Sequence, residues 1–167
     1  MNKNIFDFSN TFSTFKELCP ILGCTSEGKT NYMMINWGGL GYLWYKPVCF
    51  VFIREDRYTY KFSEKGTSFS LSFLPVSPSL TKVFGSLSGR DTNKLKALNL
   101  TEVYDKTYDC YTIKEAYKTL KLKKLFSVSL KDGKYFCDIP ESIYSDKPYH
   151  KLYICEILEY NEGKTNE

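Results

Sequence analysis

All three arginines of this chain fall in two short windows, Arg54 and Arg57 in "IREDRYTY" and Arg90 in "FGSLSGRDTNK", although the sequence carries 23 lysines and arginines in all. A guanidinium presents a planar fork of donors that meets phosphate oxygens in two parallel hydrogen bonds, which the point charge of lysine does not. In "SLSGRD" two hydroxyls and a glycine stand just ahead of a predicted helix start, and "RYT" stands at another. Helix starts carry free amides and the positive end of the dipole, so two of them, each with an arginine and hydroxyls, suit one phosphate monoester. The same spacing also allows Arg57 and Arg90 to form surface ion pairs with Glu55, Asp56 or Asp91.

Other chemistries are excluded by what the sequence lacks. His150 is the single histidine, whereas a zinc hydrolase draws on two or three imidazoles. The six cysteines, at 19, 24, 49, 110, 137 and 155, have no closer pair than Cys19 and Cys24, so neither a metal knuckle nor a disulfide framework is expected. A nucleophile activated by histidine would have to use His150, and no Gly-x-Ser-x-Gly elbow accompanies it. There is no phosphate-binding Gly-x-x-x-x-Gly-Lys loop, and "NWGGLG" is a poor match to a dinucleotide turn. Chemistry in this chain would fall to a bound organic cofactor, with the protein binding and orienting it.

The elements that must position these residues are short and mostly extended. A length of 167 residues fits one domain over 1–167, and 14 Tyr with 12 Phe favour strands. Residues 19–36 read as two paired strands around a turn at Gly28. "VCFVFI" (48–53) reads as a central strand covered on both faces, and "SFSLSF" (68–73) alternates, with Phe69, Leu71 and Phe73 on one face and three serines on the other. A helix is predicted over 58–65, capped by Asp56 or Thr59 and closed by Gly66. Ser77 and Pro78 open a second helix and Asp91 caps a third. "AYKTLKLKKLFSVSL" and "HKLYICEILEY" read as strands, the first with a bulge at Lys123 and Lys124. The closing "NEGKTNE" is expected to fray. The opening "MNKNIFDFSNTFSTF" lacks the apolar core of a signal peptide and no run of apolar residues is long enough to span a membrane, so the sequence reads as a cytoplasmic protein with reduced thiols.

The ordered segments "NYMMINWGGLGYLWYKPVCFVFIREDRYTY", "FSLSF", "SGRDTNK" and "YHKLYICEI" resemble the flavin reductase-like family, FMN-binding split barrels of the flavoredoxin type, over about residues 12–158. The resemblance implies a mainly β fold with short helices, non-covalent FMN, and a homodimer with the flavin near the subunit interface. Carried over residue by residue, it places Asn31, Met33, Met34, Ile35, Asn36 and Trp37 along the flavin ring. Ile53, Arg54, Arg57, Tyr58 and Thr59 fall along ribityl and phosphate, and Ser88, Gly89, Arg90 and Lys94 on the second phosphate side. His150 falls where it would orient the nicotinamide or tune the ring; the plain alternative is a half-buried strand residue. Three positions depart from the family: Met34 replaces a small hydroxyl residue, Asn93 an acidic residue and Cys155 a glycine. Trp37, Tyr42 and Trp44 stack on the flavin, close its pocket, or pack in the core or a dimer contact.

The activity so implied is hydride transfer from NADH or NADPH to flavin and on to an acceptor, which the sequence leaves open among free flavin, ferric iron, a quinone and a protein. An FMN-binding electron-transfer or storage protein with little NAD(P)H oxidation is the alternative. The net charge of +4, with one cluster at "LKLKK", makes no basic stripe, so a nucleic-acid binder is the weakest reading and neither nucleic acid nor membrane is an expected partner.

Overall fold

The computed structural model of the chain describes residues 11–138 and 141–163. After a short helix α1 (Thr11–Lys16), strands β1 (Ile21–Ser26) and β2 (Lys29–Met34) form the hairpin predicted across 19–36. Its two-residue turn, Glu27 and Gly28, has φ of 53° and 71°, the primed geometry whose twist matches that of paired strands. Strands β3 (Gly38–Leu43) and β4 (Lys46–Arg54) form a second hairpin, joined by Trp44 and Tyr45. Next come α2 (Tyr58–Lys65), β5 (Ser68–Phe73), α3 (Pro78–Leu80) running into a π-helical turn Thr81–Ser86, and α4 (Lys94–Ala97). A small sheet of β6 (Glu102–Asp105) and β7 (Cys110–Ile113) precedes the long strand β8 (Lys118–Ser129), helix α5 (Glu141–Tyr144) and the long strand β9 (His150–Glu162).

The main sheet is antiparallel throughout, in the order β2-β1-β5-β8-β9-β4-β3. Its two edge strands, β2 and β3, are neighbours in sequence. The ladder therefore stays open between them, and Ile35, Asn36 and Trp37 are the whole link from one edge to the other. The core inside holds Leu22, Ile53, Phe69, Leu71, Leu122 and Tyr153, each at most 1% exposed; burying side chains of this size contributes about 1.5–3 kcal/mol apiece.

The period-two reading of 68–73 holds, but the serine face is not turned to water. Ser70 Oγ donates to the Tyr111 carbonyl at 2.7 Å, and Ser72 Oγ accepts from the Ile113 amide at 3.3 Å, so β7 covers that face and satisfies it. The strand over 48–53 differs from its reading. Val51 and Ile53 are buried, while Phe50 and Phe52 on the other face are only half-buried. The Phe50 ring lies beside Gly39 and Gly41 of β3, where an added Cβ would come within 3.6 and 2.9 Å of it.

Helix α2 has the predicted span, but neither Asp56 nor Thr59 caps it. The cap position is Arg57, which offers no side-chain bond, and Gly66 closes the helix by donating to the Phe62 carbonyl at 2.8 Å. Ser77 and Pro78 open α3 as expected, with Ser77 Oγ accepting from the Leu80 amide. Asp91 does not cap α4. Residues 88–92 turn back, with the Asp91 and Thr92 amides on the Ser88 carbonyl, so the helix starts later and Asn93 caps it by accepting from the Lys96 amide at 3.0 Å. Register breaks in β8 fall between Lys121 and Leu122 and between Lys124 and Phe126, flanking the predicted pair. The C-terminal end holds longer than expected: Asn161 and Glu162 pair with Thr119 and Lys118, and the rest of the predicted fraying tail, 164–167, lies outside the described residues. All six cysteines are unbridged, and burial holds the Cys155 thiol well above its usual range, as a core residue. Among the described residues, no helix is long and apolar enough to cross a membrane.

Candidate functional site

The first cavity forms where β2 meets the start of α2. Asn31, buried on β2, donates from Nδ2 to Thr59 Oγ1 at 2.7 Å and so fixes the helix to the strand. Around this joint Met33, Arg57, Tyr58, Thr59, the stretch Phe84–Arg90 and Lys94 enclose about 200 Å³. Gly89 passes so close to Asn31 that an added Cβ would lie 2.0 Å from its Oδ1. The Arg90 guanidinium lies over the Tyr58 ring, 5.3 Å from its centre, and its own amide donates to Ser88 Oγ at 3.2 Å.

Cations outnumber carboxylates in this cavity: Arg57, Arg90 and Lys94 line it against Asp56 alone. Lys94 is 7% exposed and donates from Nζ to the carbonyls of Tyr32 at 2.9 Å and Phe84 at 3.4 Å. Burial, with Arg57 nearby, pushes its pKa down to about 8. Among the described residues no carboxylate pairs with Arg57, Arg90 or Lys94; Asp56 binds Arg54 instead, at 2.7 Å. The ion pairs the spacing allowed for Arg57 and Arg90 are absent among the described residues, since Asp56 is engaged by Arg54. The uncapped start of α2 adds amides and a positive dipole end to the same wall. An anion is what this arrangement can bind.

A second cavity of about 290 Å³ is lined by Met33, Met34, Ile35, Asn36, Trp37, Phe52, Arg54, Arg57, Ile143, Lys147 and His150. Met33 and Arg57 line both cavities, so the two meet there. Apolar and aromatic side chains supply surface for a flat ring, and cations stand among them. His150 lies against Trp37, ring centres 4.6 Å apart, with Nδ1 3.1 Å from the Tyr144 hydroxyl. Burial, then the Arg54 charge, lowers the imidazole pKa to about 4, so the ring is neutral at ordinary pH.

Of the sixteen residues carried over to the flavin ring, the ribityl and phosphate and the nicotinamide, fifteen line these two cavities. Asn31, Met33, Arg57, Tyr58, Thr59, Ser88, Gly89, Arg90 and Lys94 line the first; Met34, Ile35, Asn36, Trp37, Arg54 and His150 line the second, with Met33 and Arg57. Ile53 is the exception. It is fully buried in the core, because strand alternation turns Phe52 and Arg54 to the cavity and Ile53 away. Period two counted back from Arg54 would have named Phe52. Phe84–Leu87, Ile143 and Lys147 were missed, and the π-helical turn and the 141–149 segment carry no motif that points to them. Tyr42 and Trp44 line neither cavity.

No family model matches the sequence, and neither does any curated protein. Solved structures do match over nearly the whole chain. An FMN-binding protein from Thermus thermophilus, with bound p-hydroxybenzaldehyde, superposes with a TM-score of 0.68 at 20% identity, covering 98% of this chain and 82% of its own. The fold is a split barrel, as in that protein. A flavoredoxin of Desulfovibrio vulgaris (Miyazaki F) shares the split barrel at TM-score 0.67 and 20% identity, over 98% of this chain and 78% of its own. An NADH:FAD oxidoreductase of Streptomyces globisporus shares it at 0.63 and 10%, over 86% and 73%. The open seam between β2 and β3 is the split in this barrel.

Proposed function

We propose that the chain is an FMN-binding oxidoreductase of the flavin reductase type, taking hydride from NADH or NADPH and passing electrons to an acceptor. The observation that carries this is the cluster of Arg57, Arg90 and Lys94, three cations without a carboxylate partner among the described residues, around an uncapped helix start that opens onto a ring-lined cavity. Lys94 is the test of fit: a buried ammonium held only by two carbonyls is costly unless an anion joins it. A phosphate monoester supplies that anion, and Trp37, Phe52 and the methionines supply surface for its ring. The FMN-binding protein of Thermus supports FMN as the group, and the NADH:FAD oxidoreductase of Streptomyces supports a reduced nicotinamide as donor.

Bound FMN would supply hydride acceptance and electron release. The chain's own residues would bind and orient it: Arg57, Arg90, Lys94 and Ser88 would hold the phosphate end, residues 33–37 would offer a wall to the ring, and the Asn31–Thr59 bond sets the angle between strand and helix. No side-chain acid or base is needed for hydride transfer between two stacked rings. The purified protein is expected to be yellow or to take up added FMN, and to bind FMN well above riboflavin. A colourless preparation that ignores FMN overturns the reading, and equal affinity for the two flavins overturns the phosphate clamp. Mixed anaerobically with NADH or NADPH, the loaded protein should bleach rapidly; failure to bleach points to the electron carrier.

A homodimer belongs to the same proposal. Tyr42, Trp44 and Phe126 are exposed, with Trp44 against Phe126 at 6.4 Å, and a contact through them would bury aromatic area outside both cavities.

A further inference from the structure

We propose that Tyr144 is a positioning residue whose phenol holds His150 as the Nε2–H tautomer, so that the imidazole offers an N–H donor to a carbonyl oxygen of a planar ligand in the second cavity. The tautomer follows from this chain alone; the use made of it rests on the flavin reading above. Tyr144 Oη lies 3.1 Å from His150 Nδ1. A phenol is a good donor and a poor acceptor, whereas the bare nitrogen of a neutral imidazole is a strong acceptor, so the phenolic hydrogen points to Nδ1. A neutral ring then has its own hydrogen on Nε2, on the side away from Tyr144. Among the described residues no hydrogen bond is made to Nε2, and His150 lines the cavity.

The surroundings keep the pair in this state. Tyr144 stacks on Tyr149, ring centres 4.4 Å apart and planes 17° apart, which fixes the phenol's direction. Trp37 packs on the other ring, and the charges facing it are Arg54, Arg57 and Lys147, with Asp56 already bound to Arg54. Three cations to one engaged carboxylate disfavour an imidazolium, and the neutral ring has the single N–H that the phenol assigns. A flavin or nicotinamide carries such acceptors as ring carbonyls and a carboxamide, which is the ligand class a lone N–H beside an indole would orient.

Because His150 is the only histidine, a two-bond proton–nitrogen NMR spectrum of the uniformly 15N-labelled full chain shows one imidazole. At neutral pH it should show Nε2 protonated and Nδ1 bare, with a titration midpoint well below that of a free imidazole. In Tyr144→Phe the two tautomers should mix and the midpoint should move. An Nδ1–H ring in the unmutated chain, or an unchanged tautomer in Tyr144→Phe, overturns the proposal without reference to flavin. With FMN loaded, Tyr144→Phe should raise KM for the reduced nicotinamide about threefold to tenfold, the effect of one hydrogen bond, with FMN affinity held within about twofold. An unchanged KM overturns the orienting role. A chain that takes up no FMN overturns the flavin reading instead and leaves the NMR result standing.

Discussion

Lys94 and Arg90 act on the same anion from different depths, and their substitutions should separate accordingly. Arg90 is exposed and makes no ion pair among the described residues, so Arg90→Ala should leave the melting temperature nearly unchanged while weakening FMN binding by roughly 1.5 to 3 kcal/mol in a fluorescence titration. Lys94 is the pH-sensitive member. Its ammonium is the binding form and its pKa is down to about 8, so FMN affinity should fall as pH rises past that value and level off only above the higher pKa that a bound phosphate gives the ammonium; riboflavin affinity should not follow. His150 titrates on the acid side. Its folded pKa of about 4 is below the usual 6.5, so between those values the unfolded chain binds the extra proton and stability falls as pH drops, levelling below about 4. Melting curves of His150→Gln against the unmutated chain should show a shallower slope in that window. The arginines were legible in the sequence because they are scarce and carry phosphate geometry in their chemistry. The burial of Lys94 was not, since it comes from the carbonyls of Tyr32 and Phe84, which lie 62 and 10 positions away in the chain.

Two glycines fix how the elements meet. A Cβ at Gly66 would lie 1.8 Å from the backbone carbonyl oxygen of Thr25, which cannot yield as a side chain can, so Gly66→Ala should lower stability by about 1–3 kcal/mol in denaturant unfolding, at a position outside both cavities. Gly89→Ala strikes Asn31, the residue that bonds Thr59, and should cost FMN affinity as well as stability. The β3–β4 turn holds a different kind of strain: Trp44 and Tyr45 sit at φ of 51° and 60°, in the left-handed region where a primed turn prefers Asn and Gly. Tyr45 is 92% exposed, so Tyr45→Gly should raise stability by up to about 1 kcal/mol. Local chemistry made α2, the first hairpin and the Ser77–Pro78 start readable. It concealed β3, whose glycines look like a loop in isolation and make sense only against the Phe50 and Phe15 rings that fill their place. The exchange of Asp91 for Asn93 as cap shows the same limit: both residues can cap, and the turn at Ser88 decides.

At the scale of the molecule, order and pairing of strands were legible only through resemblance, because alternation names a strand without naming its partner. The proposed dimer is tested by sedimentation: the chain of 19.4 kDa should run at about twice that mass, and Trp44→Ser with Phe126→Ser should shift it towards the single-chain value. The link Ile35–Trp37 has a kinetic consequence. Sequence-adjacent β2 and β3 end on opposite edges of the sheet, so each hairpin can form locally, but the seam between them exists only after β5, β8, β9 and β4 have been zipped in between. The second cavity, lined by that link, is therefore among the last features to appear in refolding, and recovery of ligand binding should lag the return of strand signal.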